Sequence, residues 1–147
     1  MVTMHNYRIA PLDPQRFPLV MRFYKTHYPA GKPKKDEVIW TIEGSLGIKG
    51  AVRFRQFGDF QLLTGMLIDP ALRRQSIGAS LLIAVEQQIK VKTCYCLAYS
   101  HLKTMYEKVG FATIAVSELP EDLHGRYLSY CNSGKNLIPM IHNPRSR

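Results

Sequence analysis

The stretch with the most chemical content is Arg73-Arg74-Gln75-Ser76-Ile77-Gly78-Ala79. Two guanidinium groups stand directly before three small side chains, Ser76, Gly78 and Ala79. A helix beginning near Ile77 would leave its first N–H groups without intrahelical partners and would place the positive end of its dipole there. Small side chains at such a point let a bulky anion reach the backbone, so the segment is a candidate phosphate or pyrophosphate cradle. The same residues would also make an ordinary strand-to-helix turn with both arginines in solvent, because a small-residue turn alone discriminates weakly.

A strand and a helix must hold that segment. Phe60–Ile68 is an apolar run ended by Pro70, which cannot donate to a sheet ladder. Ile77, Leu81, Val85 and Ile89 recur at spacings of four and predict one helical face from Ile77 to about Lys90. Thr93–Tyr99 then reads as a second strand, and a helix between two strands makes them parallel. Upstream, Tyr7–Ala10 is a strand, and Asp13 with Pro14 opens a helix to about Thr26 that turns Phe17, Val20, Met21 and Tyr24 inward. His27–Glu37 is a loop, with Lys32, Lys34 and Lys35 clustered in it. Val38–Glu43 and Ile48–Phe57 are strands joined to their neighbours by glycine turns, an antiparallel meander. Downstream, Leu102–Lys108 is a short helix ending at Gly110, Phe111–Val116 a strand, and Leu119 to about Tyr130 a helix. Leu137–Ile141 is the last strand, placed at a sheet edge by Pro139.

The cradle segment resembles the acetyl-CoA-binding motif of the GNAT N-acetyltransferase family, Arg/Gln-x-x-Gly-x-Gly/Ala. Ile68-Asp69-Pro70 before it and Ser80-Leu81-Leu82 after it also fit. Tyr99-Ser-His-Leu-Lys-Thr-Met-Tyr106-Glu-Lys-Val-Gly-Phe111 resembles the later signature of the same family, a short helix ending in Tyr-Glu-Lys-x-Gly-Phe. The likeness covers roughly Val38 to Phe111. It implies an α/β fold with a mixed sheet: mostly antiparallel, with one splayed parallel strand pair and flanking helices, and residues 1–147 in a single domain. It also implies acetyl-CoA as cofactor, with its phosphates on Arg73, Arg74, Gln75, Ser76, Ile77, Gly78 and Ala79. The pantetheine arm would lie between the splayed strands on the backbone of Met66, Leu67 and Ile68, near Tyr99, with Gly65 marking a bulge that opens the sheet. One residue departs from the motif: Ser76 stands at the first glycine. A serine fits there if its φ is negative, and its hydroxyl could donate to a phosphate oxygen.

The implied reaction needs an amine to lose a proton and attack the thioester, an oxyanion to be stabilised, and a leaving thiolate to be protonated. The family pattern assigns that last step to Tyr106, whose phenol stays protonated at neutral pH. A backbone N–H near Leu67 would meet the oxyanion. The strand before the cradle offers Thr64 and Met66 but no carboxylate, so the base must come from elsewhere. His101, just after the second splayed strand, is the first choice, ahead of His27 and Glu43; a water chain serving an amine that arrives neutral is the alternative. Loop 27–37 and the aromatic residues Tyr24, Tyr28, Trp40 and Phe54 are candidates for acceptor contacts. The enzyme reading is N-acetylation of a primary amine on a small molecule or protein. The competing reading keeps the fold as a non-catalytic acyl-CoA sensor or regulatory module.

Composition bounds these readings. The 147 residues are 46% hydrophobic and 21% charged, enough for one core without disulfides. No apolar run is long enough to span a membrane and residues 1–9 lack a signal-peptide core, so a cytoplasmic protein without a membrane partner is expected. Cys94 and Cys96 fall on one face of a strand and, with Cys131, read as structural thiols; no set of residues has metal-ligand spacing. The net charge of +9 favours anionic partners, a polyanionic cofactor among them. No helix carries a basic stripe with interleaved aromatics, so a specific nucleic-acid partner is not expected. A homodimer stays open.

Overall fold

A meander, a crossover and a returning strand build one mixed sheet. The computed structural model describes residues 2–4, 6–29, 31–73 and 76–143. Its strands are β1 (Val2–Met4), β2 (Tyr7–Pro11), β3 (Val38–Gly44), β4 (Gly47–Gln56), β5 (Phe60–Ile68), β6 (Thr93–Tyr99), β7 (Ala112–Thr113) and β8 (Leu137–His142). Its helices are α1 (Phe17–His27), α2 (Ile77–Ala84), α3 (Glu86–Ile89), α4 (Lys103–Glu107) and α5 (Glu121–Asn132). The sheet order is β1-β2-β3-β4-β5-β6-β8-β7. Every neighbouring pair is antiparallel except β5 and β6, which the α2–α3 crossover makes parallel. The mixed sheet with one parallel pair and flanking helices is the architecture expected from the sequence.

The strands alternate sides, and each side has its own core. On one face Val52, Phe54, Leu63, Cys94, Cys96 and Met140 pack against Ile77, Leu81, Val85 and Ile89, each of the last four at most 2% exposed. The four-residue spacing thus marks a buried stripe, and truncating Leu81 to alanine would cost about 2–5 kcal/mol. On the other face α1 lays Val20, Phe23 and Tyr24 on Ile39, Ala51 and Leu67. Beside it α5 lays Leu123 on Leu62, with Leu119.

Several expectations need correction. The helix from Ile77 is interrupted at Val85, which leaves α2 and α3. Asp13 caps a 3-10 turn over Pro14–Arg16, accepting from the Gln15 N–H at 2.9 Å, and α1 begins only at Phe17. Phe23 replaces Met21 on its buried face; Met21 is 37% exposed. The strand expected over Phe111–Val116 shrinks to two residues, because a 3-10 turn already occupies Val116–Glu118. β8 is not at the edge: it lies between β6 and β7. Pro139 is tolerated because its own edge faces β7, where its carbonyl accepts from the Ile114 N–H at 3.0 Å and no donor is required of it. Among the described residues no helix is long and apolar enough to cross a membrane.

Candidate active site

The site begins with one extra residue in β5. Arg53 faces Thr64 and Ala51 faces Leu67, so Gly65 and Met66 together oppose Val52. Gly65 adopts φ +61°, the left-handed bulge conformation open to glycine. The insertion changes the strand's phase: Leu67 joins the α1 face and Met66 the α2 face. It also ends the parallel pairing. β5 and β6 match from Phe60–Thr93 to Leu63–Cys96 and no further, while β5 continues along β4 to Ile68 and β6 along β8 to Tyr99. A cleft of about 1350 Å³ opens in this splay. The expected bulge and the expected opening are both present.

Met66, Leu67, Ile68, Arg73, Ser76, Ile77, Gly78, Ala79, Tyr99, His101 and Tyr106 all line that one cleft. Arg74 and Gln75 lie outside the described residues. The N-terminus of α2 opens on the cleft, and a Cβ on Gly78 would meet only the Met66 and Met105 sulfurs, at 3.7 and 3.8 Å. The protein's own packing therefore does not demand glycine there. Arg73 is tied to the end of β5, its Nε donating to the Ile68 carbonyl at 3.1 Å. Ser76 does not meet the condition of a negative φ: it sits at φ +58°, ψ 24°, the left-handed region, and its hydroxyl makes no cap to the helix. A non-glycine residue in that region costs about 1–2 kcal/mol, so the turn before α2 carries local strain.

Tyr106 is 5% exposed, its ring edge-on to Phe111 at 5.8 Å. Burial first, and then the neighbouring sulfur of Cys96, push its phenol well above the ordinary tyrosine range. Burial likewise pushes the Cys96 thiol up to about 12. Both groups are thus fully protonated at neutral pH, at the point where the strands part. His101 is exposed in the 3-10 turn Ser100–Leu102, with its ring 5.8 Å from that of Tyr99.

The other base candidates are elsewhere. Glu43 is ion-paired with Arg16. His27 lies 3.9 Å from Asp69 and against the Phe23 ring at 4.9 Å. Neither lines the cleft. The one carboxylate that does, among the described residues, is Glu37, which sequence reasoning missed. It accepts from Arg53 Nη1 at 2.9 and 3.1 Å and from the Lys34 N–H at 2.8 Å. Its side chain is 2% exposed and that of Arg53 9%. A signal was present: Arg53 stands between Val52 and Phe54 in a strand, and an inward arginine demands a buried acid.

Under the bulge, Tyr24 donates its hydroxyl to the Gly65 carbonyl and supports the Arg53 guanidinium 5.1 Å above its ring. Loop 27–37 supplies Tyr28, Gly31, Lys32, Lys34 and Glu37 to the cleft wall. Lys135, from the turn after α5, closes on that wall, donating to the Tyr28 hydroxyl at 3.3 Å. Of the four aromatics expected near an acceptor only Tyr28 lines the cleft; Tyr24, Trp40 and Phe54 are core residues. Among the described residues no group of three or more His, Cys, Asp and Glu side chains is arranged to hold a metal.

A family profile for the acetyltransferase (GNAT) domain matches residues 35–113. No curated protein matches the sequence. Solved structures share the fold at low identity. N-acetylglutamate synthase from Neisseria gonorrhoeae, complexed with coenzyme A and L-arginine, superposes with a TM-score of 0.69 at 13% identity, over 97% of this chain and 34% of that one. The chain thus spans about a third of that protein. The ribosomal-protein-S18-alanine N-acetyltransferase of Escherichia coli gives 0.65 at 14% identity, covering 96% of each chain. An aminoglycoside 6'-N-acetyltransferase complexed with coenzyme A gives 0.64 at 13% identity, over 95% of this chain and 98% of that one.

Proposed function

The chain belongs to the acetyltransferase (GNAT) domain family, and from that premise we propose that it transfers an acetyl group from acetyl-CoA to a primary amine. The observation that carries the reading is the end of β5–β6 pairing at Leu63–Cys96. It leaves a backbone edge open inside a cleft that also holds the start of α2 and Tyr106. Acetyl-CoA, when bound, supplies a thioester carbonyl and a thiolate leaving group.

The chain's own residues have separable tasks in this reading. The N-terminal amides of α2 and the Arg73 guanidinium hold phosphate, with Gly78 leaving room for it. The free edge of Met66–Ile68 holds an extended amide-bearing arm as a further strand would. A β5 amide near Leu67 faces the developing oxyanion. Tyr106 holds a proton at its hydroxyl for the departing sulfur. His101 is the one imidazole on the cleft wall among the described residues and takes the acceptor's proton.

Calorimetry with acetyl-CoA on the wild type and on Gly78→Glu tests the cofactor site. A Cβ at 78 fits the protein, and the carboxylate beyond it brings the wrong charge to the phosphate site. We expect a dissociation constant on the order of 1 μM, about −8 kcal/mol, abolished in the variant. Thiol release with an amine panel tests transfer, and Tyr106→Phe should lower kcat by about 100-fold with little change in acetyl-CoA affinity. The sensor reading draws support from Glu37, the one carboxylate on the wall among the described residues, being neutralised by Arg53. Tight binding with no thiol release from any amine would favour it.

A further inference from the structure

Taking the acetyl-transfer reading as given, we propose that the acceptor is a small amine carrying anionic groups, carboxylate or phosphate, close to its reactive nitrogen.

The cleft extends from the cofactor face of the sheet to the other face, between α1 and α5. Its floor there is Arg53 and Arg55 of β4. They share a side of the strand with Ala51, as the Arg53–Tyr24 stacking confirms, and Arg55 faces Leu62 beneath α5. Loop 27–37 adds Lys32 and Lys34 to the lining, and α5 with the turn after it adds Arg126 and Lys135. Glu37 is the single carboxylate on these surfaces among the described residues, and its ion pair with Arg53 consumes it. Lys32, Lys34, Arg55, Arg126 and Lys135 make no ion pair with a carboxylate among the described residues. Arg55, Arg126 and Lys135 are only half exposed, so solvent screens them incompletely. Tyr28 and Tyr130 fix two of them: Tyr28 accepts from Lys135, and Tyr130 accepts from Arg126 at 3.3 Å.

This arrangement selects by charge. A polycationic amine entering between α1 and α5 would meet like charge on floor and walls. An amine with carboxylates or a phosphate would pair with them, and guanidinium groups accept either anion in a bidentate fork. The same field acts on the reacting nitrogen. Neighbouring positive charge disfavours an ammonium and lowers its pKa, so more of the acceptor arrives as the neutral nucleophile. A site built this way has less need of a dedicated carboxylate base, and none is free on its walls among the described residues. The helix that would hold the cofactor's phosphates does not account for these cations, because α2 packs on the opposite face of the sheet from α1 and α5.

The test is thiol release at saturating acetyl-CoA with aspartate, O-phosphoserine, spermidine and a lysine-rich peptide. It is paired with calorimetry of the same four probes on the CoA-saturated protein, which reads binding without turnover. Aspartate and O-phosphoserine separate carboxylate from phosphate recognition. At least one should exceed spermidine and the peptide by 10-fold or more in kcat/KM. Arg55→Gln and Lys135→Glu should each raise the KM of the preferred anion about 10-fold and leave that of acetyl-CoA unchanged; both residues are partly exposed, so the fold tolerates the change. Preference for spermidine or the lysine-rich peptide would overturn this inference and leave acetyl transfer standing. Failure of acetyl-CoA itself to bind would strike at the transfer reading instead, and a calorimetric preference of the CoA-treated protein for spermidine would still overturn the charge inference.

Discussion

At residue scale, Ser76 carries backbone strain that the glycine of the resembling motif would not. The turn before α2 needs a left-handed residue, and serine adopts it at φ +58°. Replacing it with glycine removes the Cβ clash and returns part of the gain as extra freedom of the unfolded chain, so Ser76→Gly should stabilise by about 0.5 kcal/mol. Ser76→Val should destabilise by about 1–2 kcal/mol, because a β-branched residue resists that region. Urea unfolding of both variants measures the difference, and equal midpoints would remove the strain argument. The sequence shows that the position is unusual but not its φ, since a dihedral is set by the whole turn. The same holds for bases: His101 can be placed from its position after β6, whereas Glu37 becomes a cleft residue only through Arg53, sixteen positions away.

The decisive element is the β5 bulge. A Cβ at Gly65 would stand 2.6 Å from Arg53 Nε and would have to adopt φ +61°. Gly65→Ala should therefore cost about 2–3 kcal/mol in urea unfolding and weaken acetyl-CoA binding, because restored phase would draw Met66 to the α1 face. A loss below about 0.5 kcal/mol would mean that the bulge reseats elsewhere. Elements with strong period or hard punctuation were legible: β5 and β6 have the bounds read from the sequence, and Ile77, Leu81, Val85 and Ile89 all face the core. Elements whose ends depend on neighbours were not. β7 is short because a turn follows it, and the place of β8 inside the sheet follows from tertiary order, which Pro139 alone misrepresents.

At the scale of the whole molecule, two tyrosines and two cysteines are buried in their neutral forms. Burial raises Tyr24, Tyr106, Cys94 and Cys96 above their ordinary values of 10.0 for tyrosine and 9.0 for cysteine. Above those values the unfolded chain releases protons that the folded chain retains, so the unfolded state binds fewer and stability falls as pH rises. Full stability holds below about pH 8.5, and a drop of roughly 2–3 kcal/mol should appear by pH 10, chiefly from the two thiols. Urea midpoints at pH 7.5 and 10 measure it; an unchanged midpoint would mean that these groups are wetter than they look. The same scale holds a mechanical consequence. Along the sheet, β1 to β5 and β6 to β8 are joined by four residue pairs. They are two plates on a short hinge, gaping at one end. Such a seam is where the empty protein should breathe first, below its global unfolding energy, baring an interior strand edge to proteases and to other chains. A ligand that touches both plates closes the hinge, and one held about 100-fold above its dissociation constant adds about 2.7 kcal/mol. The lifetime of the protein would then follow the supply of whatever fills the gap.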